Sequence, residues 1–111
     1  VRTAYDAPFP EEAYKVGVRA MPGLIPTTPD DPASAANRTA WKMLSDSATP
    51  LLVAFSDGDP MTGAMAGIFA GQMRGAQGIE HPLIANAGHF LQEDAGDELA
   101  AAIVQFLSRT L

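Results

Sequence analysis

Residues 49–60, TPLLVAFSDGDP, decide the fold, because a run of apolar side chains ends there at a cluster of turn-forming and acidic residues. Residues 51–55 are apolar at every position and not only at alternate ones. Continuous apolarity of this length is typical of a strand buried on both faces, as in a parallel sheet. The pattern therefore predicts a buried parallel strand whose carboxyl end leads into a polar loop.

A second, weaker strand is predicted in residues 81–88, HPLIANAG. Apolar residues at helical spacing predict helices in residues 10–21, 29–46, 61–75 and 94–111. We expect Pro22 to end the first of these helices, and Asp31 to cap the second with Pro32 at its first position. The rest of residues 1–32 is rich in proline and is predicted to be loop. Helices that alternate with strands indicate an α/β fold.

The composition excludes several classes of protein. With 47% hydrophobic and 18% charged residues, the 111-residue chain can form a core. A net charge of −6 argues against a nucleic-acid partner and against an anionic membrane surface. No apolar run approaches the roughly 18 residues of a membrane span. Cysteine is absent, which excludes disulfides and thiolate metal sites and favours a reducing compartment. We therefore expect a cytoplasmic protein.

Two parallel strands raise a stability problem. Both would be edge strands, which expose unpaired backbone groups and apolar faces. The sequence also begins without a methionine. We therefore expect either that this chain docks onto further strands or that it is part of a longer protein.

Chemically active residues follow each predicted strand. Asp57 and Asp59 come after the first strand, and His89 comes after the second. Parallel neighbours would bring these loops together at the edge where α/β proteins bind ligands. Either carboxylate would accept a hydrogen bond from one ring nitrogen of His89 and leave the other nitrogen as a general base. An acid followed by a histidine after the last two strands is the order found at the end of the α/β-hydrolase triad.

Residues 4–33, residues 55–63 (FSDGDPMTG) and residues 87–96 (AGHFLQEDAG) together resemble the C-terminal part of haloalkane dehalogenases, which are α/β-hydrolases. In residues 4–33, AYDAPFP leading into YKVGVRAMP is the more specific feature, and it resembles the end of the helical cap. The resemblance implies the C-terminal portion of an α/β-hydrolase fold. Residues 1–32 would be the end of the cap with its return loop, and residues 33–111 part of the main domain.

The resemblance also implies a mechanism. An aspartate on a nucleophile elbow displaces halide from an alkyl carbon, and a histidine activates the water that hydrolyses the resulting ester. By position, His89 matches the base and Asp59, directly before Pro60, matches the carboxylate that supports it. Phe90 and Met61 would lie near the pocket wall. The substrate would be a small apolar haloalkane with water, and neither a metal nor an organic cofactor is implied.

The first chemical step has no matching residue in the sequence. No segment has the form G-x-S-x-G or G-x-D-x-G, and no position matches the family's halide-binding donors, Trp41 included. We therefore expect the nucleophile outside this chain, in a missing N-terminal part. Two alternatives stay open: an epoxide hydrolase or another α/β-hydrolase reaction, and an inactive fragment that needs a partner chain.

Other residues have simpler interpretations. His89 alone would often be a loop histidine bonded to backbone, and Asp59 a turn carboxylate. Glu93 and Asp94 are expected to cap the last helix more readily than to act on His89. Trp41 is expected in the core. The separation of His81 from His89 lacks metal-ligand spacing, so we expect no metal site.

Overall fold

The computed structural model describes residues 2–110. The helices and strands are α1 (Arg2–Asp6), α2 (Val16–Ala20), α3 (Ser34–Asp46), β1 (Phe55–Ser56), α4 (Met65–Gln72), β2 (Leu83–Ile84), α5 (Leu91–Asp94) and α6 (Gly96–Thr110). Short 3₁₀ helices lie at Glu12–Lys15, Met21–Leu24 and Arg74–Ala76. Contacts divide the chain into two compact units, of which the first ends at Thr39 and the second begins at Ala40.

The first unit consists of short helices in a proline-rich segment. The prediction of one continuous helix over residues 10–21 is wrong, because a 3₁₀ helix, α2 and a second 3₁₀ helix follow one another there. Pro22 comes after the end of α2 but lies in the first turn of the second 3₁₀ helix, where its missing N–H is not needed. Helix α1 lies where loop was predicted, since five residues are too few to show a helical period.

Helix α3 begins later than the capping pattern predicts. The Asp31 carboxylate accepts a hydrogen bond from the Ala33 N–H at 2.8 Å, and the Ser34 N–H donates to the Asp31 carbonyl at 2.9 Å. Asp31 therefore closes a turn ahead of the helix. The buried Ser34 hydroxyl donates to the Thr28 carbonyl at 2.8 Å and ties the helix start to that turn.

The two strands form a parallel pair, with Phe55 beside Leu83 and Ser56 beside Ile84. The prediction of a parallel α/β arrangement is confirmed, but the predicted strand over residues 51–55 is wrong in extent. Before Phe55, the backbone bonds elsewhere: the Leu51 N–H donates to the Gly75 carbonyl at 2.9 Å, outside any strand ladder. A strand needs a neighbour as well as an apolar pattern, and β2 is only two residues long.

Two apolar clusters lie on the second unit. One consists of Val53, Met73 and Ala76, with Trp41 and Phe69 among the side chains packed against it. The rings of Trp41 and Phe69 have centroids 5.3 Å apart, so Trp41 packs in the core as expected. The other cluster consists of four buried residues, against which Leu99 packs: Ile84, Ala87, Leu91 and Ala95.

Helix α4 is shorter than the predicted range of residues 61–75. Turns occupy residues 60–64, and the chain leaves the helix at Met73 with extended backbone angles. Beyond it, a Cβ atom at Gly75 would lie 1.9 Å from the Thr49 carbonyl oxygen, so only glycine allows that approach.

Helix α6 is the longest of the described elements, and charged residues lie at both of its ends. Asp97 and Glu98 occupy its first turn, and Arg109 occupies its last turn, as suits the helix dipole. The predicted start at residue 94 is wrong by two residues, and residue 111 is outside the described residues. Within residues 2–110, no helix combines the length and apolarity that crossing a membrane requires.

Candidate active site

The loops that follow β1 and β2 meet at the carboxyl edge of the parallel pair. Nδ1 of His89 lies 3.0 Å from Oδ1 of Asp59. The Asp59 side chain is 6% exposed, whereas the His89 side chain is 42% exposed. The structure therefore brings together the two residues that the sequence analysis assigned as base and supporting acid, with the carboxylate inside and the imidazole at the surface.

Asp59 is held by the turn that follows it. Its Oδ1 accepts hydrogen bonds from the backbone N–H groups of Met61 at 2.8 Å and Thr62 at 3.1 Å. The Thr62 hydroxyl donates to Oδ2. The Asp59 side chain thus satisfies N–H groups of the turn that precedes α4, as an aspartate at the start of a turn commonly does. The residues that lead into α4 thus fix the direction of the carboxylate.

These contacts hold the pKa of Asp59 well below its ordinary value. The Thr62 hydroxyl is the largest cause, and burial opposes it by raising the pKa. The backbone N–H groups of Thr62 and Met61 and the ring of His89 lower it further. Because hydrogen bonds to the charged form favour ionisation, Asp59 is a carboxylate at neutral pH.

The Asp59 carboxylate decides which nitrogen of the His89 ring carries the hydrogen. A carboxylate has no proton to give, so Nδ1 of His89 must carry the hydrogen and donate it. In the neutral ring, Nε2 then holds the lone pair. This is the tautomer that a general base requires.

Asp57, the alternative partner, serves a different purpose. Its N–H donates to the Ile84 carbonyl at 3.0 Å and its carboxylate accepts from the Ala87 N–H at 3.4 Å. Next to it, the Gly58 N–H donates to the Ala87 carbonyl at 3.0 Å. A Cβ atom at Gly58 would lie 2.8 Å from that carbonyl oxygen. Residues 57 and 58 therefore join the two loops through their backbone N–H groups and the Asp57 carboxylate, and Asp59 remains the carboxylate at the imidazole.

The loop that carries His89 is held from two sides. The Gly88 N–H donates to Oδ2 of Asp94 at 2.8 Å, and the hydroxyl of Ser56 donates to the Gly88 carbonyl at 2.7 Å. Two residues earlier, Asn86 has a φ of 60°, in the left-handed region that asparagine tolerates better than most residues. The expectation that Asp94 caps the last helix is wrong: α6 begins at Gly96, and the Asp94 carboxylate turns back to Gly88.

Phe90 and Met61, the predicted pocket residues, flank the pair. The Phe90 ring meets the His89 ring edge to face, with centroids 5.2 Å apart at 67°. Phe90 is 58% exposed and Met61 is 76% exposed. Phe90 thus lies beside the imidazole, and the backbone N–H of Met61 bonds Asp59. The contact of either side chain with a substrate stays a prediction.

His81 is a structural histidine. Nε2 lies 3.1 Å from the Ala76 carbonyl, to which it donates, and Nδ1 accepts the Val53 N–H at 3.3 Å. Both ring nitrogens are thereby used to join the segment before β1 to the segment before β2. Across residues 2–110, no group of three or more histidine and acidic side chains is arranged to hold a metal ion.

The amino-acid sequence of the chain is similar to those of several known proteins. No family model matches the chain. The chain is 51% identical over 104 residues to a haloalkane dehalogenase of Psychrobacter cryohalolentis, and the match covers 94% of this chain and 34% of that protein. The resemblance to haloalkane dehalogenases is confirmed.

Two further relatives agree with this result. A haloalkane dehalogenase of Mycobacterium marinum is 47% identical over 106 residues, which are 96% of this chain and 35% of the relative. Haloalkane dehalogenase 1 of Mycobacterium tuberculosis is 46% identical over 110 residues, which are 99% of this chain and 36% of the relative. The chain thus spans about a third of the length of these dehalogenases, a share that fits a C-terminal portion.

Two of the groups that shape the site, Thr62 and Ser56, were not predicted from the sequence, and a third, Asp94, was expected to cap the last helix. A signal existed for Thr62, because an aspartate in a turn often accepts hydrogen bonds from the N–H groups two and three residues later. No sequence signal links Ser56 or Asp94 to Gly88, because those contacts join residues that only the fold brings together.

Proposed function

We propose that this chain provides the general base, His89, and its supporting carboxylate, Asp59, to a haloalkane dehalogenase of the α/β-hydrolase fold. The observation that carries the proposal is the 3.0 Å contact between Nδ1 of His89 and Oδ1 of Asp59. It occurs in a chain that is 46% to 51% identical to haloalkane dehalogenases.

The geometry supports one role for each group. Asp59 stays ionised and accepts Nδ1–H, so Nε2 of His89 can take a proton from water. The hydroxide so formed attacks the carbonyl carbon of an alkyl–enzyme ester, and the alcohol leaves with a proton that the imidazolium returns. The buried charge of Asp59 stabilises the imidazolium while it exists.

The ester itself requires an aspartate that this chain does not contain in a nucleophile elbow. We assign that aspartate, with the halide-binding donors, to an N-terminal part that precedes the matched third of the relatives. Residues 1–32 would then end the cap, and residues 33–111 would belong to the main domain. Phe90 and Met61 would line an apolar pocket, which suits a small haloalkane.

A chimera tests the proposal. The first two thirds of the Psychrobacter cryohalolentis relative are joined to this chain, and the product is called the assembled enzyme. We expect a cooperatively folded assembled enzyme to release bromide from 1-bromobutane. The same chimera with Asp59→Ala and His89→Ala together is the matched control. Turnover of an epoxide without any bromide release would overturn the proposal in favour of an epoxide hydrolase.

A further inference from the structure

Gly88, the residue directly before His89, is held through both of its backbone polar groups. Its N–H donates to Oδ2 of Asp94 at 2.8 Å, and its carbonyl accepts the hydroxyl of Ser56 at 2.7 Å. Ser56 is 5% exposed and is the last residue of β1. Two side chains from different elements therefore hold one glycine between them.

Holding this residue orients the imidazole. The Gly88 carbonyl belongs to the peptide plane that ends at the nitrogen of His89, so its direction sets the course of the backbone into the histidine. Glycine has the widest choice of backbone angles and would otherwise leave that direction open. A hydrogen bond on each side of the residue removes this freedom.

Both partners are themselves fixed relative to the site. Ser56 pairs with Ile84 in the parallel sheet and lies three residues before Asp59, so one segment positions the carboxylate and the histidine loop. Asp94 ends α5, whose first turn closes on Phe90: the Asp94 N–H donates to the Phe90 carbonyl at 3.2 Å. The one-turn helix α5 thus returns the Asp94 carboxylate to the start of its own loop.

We propose that Ser56 and Asp94 are positioning residues that hold Gly88 so that Nδ1 of His89 meets Asp59. The proposal rests on the proposed function for its kinetic consequence. Its structural consequence, an ordered Nδ1–H hydrogen bond, does not depend on which reaction the site performs.

The variants separate an acceptor role from a charge role. Asp94→Ala removes the oxygen that accepts the Gly88 N–H, whereas Asp94→Asn keeps an oxygen acceptor and removes the charge. Ser56→Ala removes the other contact, the hydroxyl that donates to the Gly88 carbonyl. Asp97→Ala, at an acid in the first turn of α6, is the matched surface control.

In the assembled enzyme we expect Asp94→Ala to lower kcat for bromide release by about 10- to 100-fold, because misplacement of a catalytic group by an ångström costs that much. KM should stay within about twofold, since neither residue is assigned to the substrate pocket. Ser56→Ala should behave in the same way, Asp94→Asn should restore kcat, and Asp97→Ala should leave it unchanged.

Proton NMR provides a second measurement that needs no turnover. The low-field resonance of the His89 Nδ1–H should be sharp in the parent and in Asp94→Asn, and broadened or lost in Asp94→Ala and Ser56→Ala. An unchanged resonance and an unchanged kcat in both alanine variants would overturn the proposal. A fall in kcat for Asp94→Asn as large as that for Asp94→Ala would overturn it as well. A parent without bromide release would refute the proposed function alone, because the resonance still tests the contact.

Discussion

Gly63→Ala probes how tightly the turn after β1 holds the supporting carboxylate. A Cβ atom at Gly63 would lie 2.6 Å from the backbone oxygen of Asp59 and 3.6 Å from its Cβ. An ordinary contact begins at 3.4 Å, so the two groups must move apart by about 0.8 Å. Because a shift of about 1 Å at a catalytic group costs on the order of 100-fold, we expect kcat of the assembled enzyme to fall by about 10- to 100-fold.

Gly67→Ala is the matched control for this change. Gly67 lies within α4, and a Cβ atom there meets nothing within 4 Å. Alanine is the better helix former, so this variant should gain about 0.5–1 kcal/mol of stability and keep the kcat of the parent.

Bromide release from 1-bromobutane measures kcat, and thermal melts measure stability. A Gly63→Ala enzyme that melts lower but keeps its parent kcat would refute the coupling between this turn and the carboxylate. In that case the added methyl group displaces Gly63 and leaves Asp59 in place.

Two further changes test single contacts. Thr62→Val removes the hydroxyl that contributes most to the low pKa of Asp59, so that pKa should rise toward its ordinary value. A carboxyl group with a depressed pKa stabilises the fold at pH values above its unfolded-state pKa, and this stabilisation is lost as pH falls. The variant has less of this stabilisation, so its acid unfolding should begin at higher pH than in the parent. An unchanged acid midpoint contradicts this. His81→Leu removes both bonds that join Val53 to Ala76 and should lower Tm with kcat unchanged, because both ring nitrogens are used in these structural bonds; a changed kcat with unchanged Tm contradicts a structural role.

The features that depend on the order of residues along the chain could be predicted from the sequence. Continuous apolarity predicted a parallel strand, and the residues after each strand predicted that His89 and an aspartate would meet. The choice of Asp59 over Asp57 depended on family resemblance. In the structure this choice follows from the contacts of the two residues before Asp59. Gly58 and Asp57 both bond the backbone of the loop that follows β2, and Asp59 is left to face the ring.

Features that depend on a partner elsewhere in the fold were not predictable. The length of β1 is set by what runs beside it, and His81, not a strand residue, meets the Val53 N–H. The role of Asp94 depends on the single turn of α5, which is too short to give a periodic signal. Hydrogen bonds between distant residues leave no pattern in a single sequence.

The sharpest test of His89 as the base is His89→Gln in the assembled enzyme, mixed with excess 1-bromobutane. Displacement of halide by the nucleophile needs no base, whereas hydrolysis of the ester does. We predict release of one equivalent of bromide and a protein that gains the mass of one butyl group in place of a proton. Continued bromide release without an adduct would show that water is activated elsewhere, and His89 would lose its assigned role.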